Sequence, residues 1–338
     1  MQFALPPRKT SQPPPFARAA ALNNASHRRR QLQLLGYIVM GILTLYLICG
    51  WLFSSPYVAP TEIEPNPSVL LVTVFNEAIM SQPFMELVRK NREDYASRHG
   101  YTNFFTNVST YDALVSPSPA SWALVPALRQ ALTLHPTTTY VWSLSAYSLI
   151  TNPSLSLSSH VFSNLTSLMQ KDVPVVPPDS VIHTFSHLRP ADVHLILSQD
   201  MDNLAPTSLI LRNNPADAQT GEPDNWALFF LDSWFDPLYR SYAFQKAEQH
   251  ALEHIVQWHP TILAKLALVE QRVLNSYNFA YGEREGVDGV KRRHDAKWQP
   301  GDFVVNLKNC DFSENRDCDK EMADYFARWQ KEVKKLDG

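Results

Sequence analysis

Three groups of side chains have the types and spacing to do chemistry. Asp200 and Asp202 stand two residues apart just after an apolar run, where α/β enzymes gather catalytic groups; an aspartate there can also simply cap a loop. Glu248 and Gln249 open a stretch with helical spacing, as a carboxylate–amide pair that could hold a hydroxyl-bearing ligand or cover a solvated helix face. His250 and His254 share one face of that helix, as zinc pairs do, with His259 just beyond. Two more features concern modification. Asn107-Val108-Ser109 and Asn164-Leu165-Thr166 are N-glycosylation sequons. Cys310 and Cys318 are the only cysteines outside one long apolar run; in an oxidising compartment they suggest one disulfide, two free buried thiols being the alternative.

That apolar run decides the compartment. Residues 32–53, LQLLGYIVMGILTLYLICGWLF, carry no charge and are long enough to cross a bilayer as a helix. Arg28-Arg29-Arg30 precede it, so the N-terminus is expected in the cytosol and everything from about residue 54 in a lumen. A cleaved signal peptide fits poorly, because the tail before the run and the run itself are both too long. The expected organisation is a disordered basic cytosolic tail (1–31), a membrane anchor (32–53), a short stem (54–67) and one lumenal domain (68–338).

Charge and composition restrict the function further. The chain of 338 residues has a net charge of -3, yet Arg8, Lys9, Arg18, Arg28, Arg29 and Arg30 precede the first acid, Glu62. The remainder is acidic on balance, which argues against a nucleic-acid partner. With 10 glycines against 25 prolines, glycine-rich phosphate loops are disfavoured and rigid loops expected.

The elements that must position these groups alternate. Val69–Phe75 reads as a buried parallel strand. Residues 83–98 read as a helix with Phe84, Leu87, Val88, Asn91 and Tyr95 on one face, ended by His99-Gly100. Tyr101–Phe105 and Thr139–Leu144 read as strands, with a helix over 120–134 between them. Val193–Leu197 and Ser208–Leu211 are later strands, and 240–257 and 319–335 later helices. Alternation predicts an α/β fold, an open Rossmann-like sheet of the nucleotide-binding kind.

Short motifs in fixed order carry a family likeness over residues 69–312: Asn91-Arg92 with Tyr95, His99-Gly100-Tyr101, Ser121-Trp122, Tyr140-Val141-Trp142, Ser198-Gln199-Asp200, Arg212-Asn213, Leu231-Asp232-Ser233-Trp234, Glu248-Gln249-His250-Ala251 and Gly301-Asp302-Phe303. In these the chain resembles glycosyltransferase family thirty-four, the fungal Golgi galactosyl- and α-mannosyltransferases, and most of all its α-1,6-mannosyltransferase members from the mannan polymerase complex. The resemblance implies a GT-A fold, a GDP-mannose (or UDP-galactose) donor, a Mn²⁺ ion, other mannosyltransferase subunits as partners and an N-glycan mannan acceptor. It also implies donor contacts at His99, Gly100, Tyr101 and Asp302, and a reacting or acceptor-side role for Asp200, Glu248 and Gln249.

The pattern breaks at the metal. Where the family has Asp-x-Asp, this chain has Ser145 and Tyr147; where it has a histidine after Gly-Asp-Phe, Asn306 stands; its Asn-x-Gly-Ser reads Ala205-Pro206-Thr207-Ser208, and an expected lysine is Leu124. Hard cations need charged oxygen ligands, so these substitutions leave no firm cofactor. Losing a metal that drains charge from a departing diphosphate forfeits on the order of a thousandfold in rate, at about 1.4 kcal/mol per decade. The expectation is a degenerate partner subunit; the alternative is a retaining transferase with a metal-independent route, for which Arg212, Lys291, Arg292 and Arg293 are the candidate cations.

Overall fold

Val69–Phe75 (β1) carries a near-continuous run of β-branched and aliphatic residues, and it is buried on both faces. It forms the inner strand of a parallel trio with Thr102–Asn107 (β2) on one side and Tyr140–Leu144 (β3) on the other. In this computed structural model, which describes residues 17–53, 67–177, 180–213, 224–280, 283–285, 291–293, 296–310 and 316–338, the trio extends into a seven-stranded sheet. Ser148–Ile150 (β4), Met169–Gln170 (β5), Leu195–Gln199 (β6), Leu204–Arg212 (β7) and Leu266–Val269 (β8) follow in the chain, and the sheet order is β2-β1-β3-β7-β6-β8-β5. β7 is antiparallel to both neighbours, and β5 to β8.

Alternate side chains feed two cores. Leu70, Val72, Val141, Leu195, Leu197, Leu209 and Leu211 pack with the helices Leu124–Leu134, Trp226–Trp234 and Ala247–Trp258. Leu71, Trp142, Ile196 and Ile210 face the other way, toward Tyr95, Phe162 and Phe303. This is the period-two alternation of a sheet covered on both faces.

A second sheet stands beside the first. Ser276–Tyr277 (β9) and Val304–Asn306 (β12) pair in parallel, and β12 runs antiparallel to β4. Between them in the chain, Glu283–Glu285 (β10) and Lys291–Arg293 (β11) form a two-stranded ribbon. The small sheet is tied to the helix Gln82–His99. That helix is capped by the Ser81 hydroxyl on the Phe84 N–H and ends at Gly100, whose φ of 69° suits glycine. From its buried face Asn91 closes two hydrogen bonds with the backbone of Ile150 (2.9 and 3.1 Å). Arg92, fully buried, donates to the carbonyls of Ser148 (2.6 Å) and Ser145 (3.1 Å). Burial pulls its guanidinium down to about 9. Asn91-Arg92 is thus a latch on the turn between β3 and β4. Cys310 and Cys318 are disulfide-bonded, fixing the start of the last helix, Cys318–Asp337.

Residues Ala17–Phe53 form one helix, and Arg29–Ile48 within it is long and apolar enough to cross a membrane. The chain divides into units Met1–Ala59 and Pro60–Gly338. The expected disordered tail therefore gives way to helix from Ala17, where an alanine-rich run has high helix propensity. Residues 1–16 and nearly all of the expected stem, 54–66, lie outside the described residues. The expected helix over 240–257 is two helices, Pro237–Ser241 and Ala247–Trp258. Strands β4, β5, β8, β9 and β12 are too short for periodicity to separate them from loop.

Replacing Arg92 with methionine strips the buried Ser148 carbonyl of its side-chain donor and leaves Ser145 O with the Ser148 N–H alone. The expected loss is about 3 kcal/mol, read as a drop of about 5–10 °C in the unfolding midpoint; an unchanged midpoint contradicts the latch.

Candidate functional site

β2 departs to one side of β1 and β3 to the other, which opens a crevice at the carboxyl ends of these strands. A cleft of about 330 Å³ lies there. Val74 and Asn76 from the end of β1, Ser143 to Ala146 from the end of β3, and Pro206 and Thr207 from β7 form part of its wall; Ile79, Met80, Leu124, Ser121 and Glu248 are among the residues that line the rest. The Ser121 hydroxyl donates to the Glu248 carboxylate, joining two segments of that wall.

The three positions at which the family resemblance places metal ligands are all near this cleft, and none presents a charge. Ser145 is held by its backbone: its N–H donates to Thr207 O (2.8 Å), and its hydroxyl accepts from Tyr147 N (3.2 Å). Tyr147 faces the other way. Its ring lies 5.5 Å from Phe84 in a buried cluster with Met80, Met322 and Phe326. Asn306 is buried, and its Nδ2 donates to Thr207 Oγ1 (2.7 Å) and Asn275 Oδ1 (2.9 Å), while Asn275 Nδ2 donates to Thr207 Oγ1 (3.0 Å). Thr207 in the cleft wall and Asn275 and Asn306 behind it thus form a closed set of neutral groups. This donor set does not fit a hard divalent cation, which needs carboxylate oxygens or imidazole converging on one point. Among the described residues no group of three His, Cys, Asp or Glu side chains is gathered to hold a metal.

Asp200 lies deeper, 2 % exposed. Its Oδ1 accepts the N–H groups of Asp202 and Asn203 (both 2.8 Å), and its Oδ2 accepts from the Tyr277 hydroxyl (2.9 Å) and from Lys308 Nζ. Burial alone would push this carboxyl up; the Lys308 charge and the hydrogen bonds outweigh it and hold the group below the usual range. Asp200 therefore braces the turn between β6 and β7 and does not line the cleft. Neighbouring groups act on the same turn. Gln249 Nε2 donates to Leu204 O (2.6 Å), Glu253 Oε1 accepts from Leu204 N (3.0 Å), and Lys246 Nζ donates to Asn203 Oδ1. Burial pushes the Glu253 carboxyl up to about 7. The sequence reading missed Lys308, Tyr277 and Glu253, which lie far from Asp200 along the chain and carry no motif.

Of the expected reacting and acceptor-side residues, then, only Glu248 lines the cleft. His99, Gly100 and Tyr101 precede β2 and so stand at the opposite end of the sheet from the cleft. His99 Nε2 meets Pro153 O (2.9 Å), and its ring packs on Tyr95 and Tyr101. The motif sits at the entry of the strand and the crevice at its exit, so the expected donor contacts do not fall in this cleft. Asp302 is also outside the cleft wall, accepting from Arg272 (2.6 and 3.1 Å), the Ser276 hydroxyl and Gln299 N. Arg212 ends β7 opposite Tyr140 and donates to Ala191 O (2.8 Å), again far from the crevice. The side chains of Lys291, Arg292 and Arg293 lie outside the described residues. His254 and His259 contact Tyr239 as an aromatic patch, not as paired ligands. Asn164 is exposed; Asn107 ends β2, half-buried.

A family model described as the galactosyl transferase GMA12/MNN10 family matches residues 65–318. An uncharacterized alpha-1,2-galactosyltransferase of Schizosaccharomyces pombe is 31 % identical over 78 % of this chain and 76 % of its own length. An alpha-1,2-galactosyltransferase of the same yeast is 27 % identical over 79 % and 68 %. The probable alpha-1,6-mannosyltransferase MNN10 of Saccharomyces cerevisiae is 26 % identical over 72 % of this chain and 59 % of its own length. Among solved structures, a glycosyltransferase involved in glycosylation of the PBCV-1 major capsid covers 78 % of this chain and 100 % of its own at 10 % identity, with a TM-score of 0.44. The galactosyltransferase LgtC covers 79 % and 95 % at 11 % identity, with a TM-score of 0.42.

The raised Glu253 carboxyl sets a pH dependence. In the folded chain it keeps its proton to higher pH than in the unfolded chain, so its contribution is full below the ordinary value of 4.5 and is lost as pH rises through about 7. Glu253→Gln keeps an acceptor for Leu204 N but cannot ionise. Relative to this variant, the wild type should lose roughly 3 kcal/mol between about pH 4.5 and pH 8. Thermal unfolding across that range measures it, and parallel profiles for the two proteins would refute it.

Proposed function

The chain belongs to the galactosyl transferase GMA12/MNN10 family, and from that premise we propose that it is a degenerate member: a Golgi membrane subunit of GT-A fold that serves mannan elongation on N-glycans beside catalytic mannosyltransferase partners. One observation carries this reading. The positions expected to supply the anionic clamp hold Ser145, Tyr147 and Asn306, and the fold has built each into a neutral hydrogen-bonded set or an apolar cluster.

The physical consequence is specific. A departing nucleoside diphosphate must have its developing negative charge spread over a cation or oriented dipoles. Serine and asparagine offer no net charge, and a carboxylate introduced at position 147 would point among Phe84, Met322 and Phe326. A carboxylate placed at position 147 alone would therefore not restore the clamp. What remains is the sheet and the switch-point cleft, which support a role in binding. The apolar helix Arg29–Ile48 supports anchoring as a single-pass type II protein, with residues after it lumenal.

The test is sugar transfer by the full chain in detergent, from GDP-mannose and from UDP-galactose, with and without Mn²⁺, alone and with partner mannosyltransferase subunits. The chain alone should give no transfer above background, and its addition should raise transfer by the partners. Robust turnover by the chain alone defeats the reading: Mn²⁺-dependent turnover would mean an intact metal site, and Mn²⁺-independent turnover a cationic route.

A further inference from the structure

We infer that the aromatic face shared by the helices Pro237–Ser241 and Ala247–Trp258 is a second sugar-binding surface, on which pyranose rings of a neutral glycan chain stack outside the switch-point cleft. The site is built from residues that do not line the cleft. The choice of a mannose glycan as its occupant rests on the proposed role in mannan elongation.

A row of rings gathers on this face. Tyr239 is its hub: its ring lies 5.3 Å from His254, 6.2 Å from Tyr242 and 6.5 Å from Phe244. His254 continues the row to Trp258 at 6.5 Å. Those two stand four residues apart and so share one side of their helix. Tyr242 and Phe244 come from the connection between the helices, where Ala243 and Ala247 have left-handed φ values of 46° and 43°. Each such non-glycine residue costs on the order of 1 kcal/mol. The turn they make sets Tyr242 edge-on to Phe244 (5.6 Å, 89°). The rings thus brace one another before any ligand arrives.

Exposure decides which rings a ligand meets. Trp258 is 62 % exposed and Tyr242 54 %, so the two ends of the row hold large ring surfaces in water. An aromatic face is electronegative, and the C–H groups of a pyranose, polarised by its oxygens, fit against it. Among the described residues the Tyr242 hydroxyl and the His254 imidazole have ring contacts but no side-chain hydrogen bond, which leaves both open to sugar hydroxyls. Burial and the neighbouring His259 hold His254 below the usual histidine range, favouring the neutral ring, with one nitrogen to donate and one to accept. The cations of this segment are engaged elsewhere. Arg240 stacks over Phe235 (4.2 Å) and donates to Leu114 O (2.7 Å), and Lys246 donates to Asn203 Oδ1. A neutral polyhydroxyl chain suits this surface better than an anionic headgroup.

The row adjoins the cleft. Glu248 of the cleft wall and Trp258 belong to one helix and stand about 15 Å apart along its axis. Trp122, next to Ser121 of the cleft wall, has its ring 6.1 Å from Phe235, on which Arg240 stacks. A glycan held at Trp258 and Tyr242 is therefore a few sugar rings from the cleft.

Calorimetry on the full chain in lipid nanodiscs tests this, with α-1,6-linked mannotriose as the probe (maltoside detergents would themselves offer sugars to the rings). Wild type should bind mannotriose saturably, with a shift in tryptophan emission. Trp258→Ala should weaken binding by at least about tenfold, and Trp258→Phe, which keeps a ring face, should retain most of it. Tyr242→Ala, at the other end of the row, is the independent check and should weaken binding in the same sense. Both side chains are exposed, so the unfolding midpoint should not move. The inference is overturned if mannotriose does not bind, or if either alanine variant binds it like wild type. An alanine variant that keeps sugar binding but loses partner subunits or anionic vesicles would make the face a protein or lipid surface instead. Sugar transfer by the chain alone defeats the functional reading and leaves this site standing; a chain inert in transfer and blind to mannotriose defeats this inference only.

Discussion

The Thr207 hydroxyl is the point on which the site depends. It receives the Asn306 and Asn275 amides, while the Thr207 carbonyl receives the Ser145 N–H. β7 belongs to the large sheet and β12 to the small one, so this contact joins the two sheets where the crevice opens. Every partner is neutral. Buried polar groups must be paired, and here they are paired with each other, which leaves little for an incoming ion to coordinate. The same geometry that makes the junction stable leaves Ser145, Thr207, Asn275 and Asn306 with no net charge to offer a diphosphate.

The charged groups have not vanished; they are used one layer below. Asp200, Lys308, Tyr277, Lys246 and Glu253 surround the turn between β6 and β7, and each is held by a named partner. Arg92 spends its charge on two carbonyls of the β3–β4 turn. These are bracing contacts: they fix the backbone that forms the cleft and contribute no side chain to its wall. The cleft that results is shaped by a rigid frame and lined by neutral and apolar atoms, with Glu248 as its single charge among described residues.

Much of the frame was legible in residue order. Val69–Phe75 reads as a buried strand because seven residues of that type have no other economical use, and Gly100 ends the first helix of the sheet domain as glycine does. Ser145 and Asn306 were legible as the residues standing where the family resemblance expects ligands, because the flanking motif survives. Three things were not. The inward turn of Tyr147 depends on packing with Phe84 and Phe326, residues from both ends of the domain. Asn275 had no motif to mark it, yet it completes the set around Thr207. The position of His99-Gly100-Tyr101 relative to the cleft follows from strand direction, which short motifs do not encode. Long-range pairing carries these facts, and a local pattern cannot.

Among the described residues the pocket gathers no charged seat for a divalent ion. Electron paramagnetic resonance of free Mn²⁺, titrated against the full chain in the presence of GDP, measures that directly. The aquo-ion signal should fall no further than GDP alone makes it fall. A stoichiometric, protein-dependent loss of signal that Thr207→Val or Asn306→Leu abolishes would contradict the account.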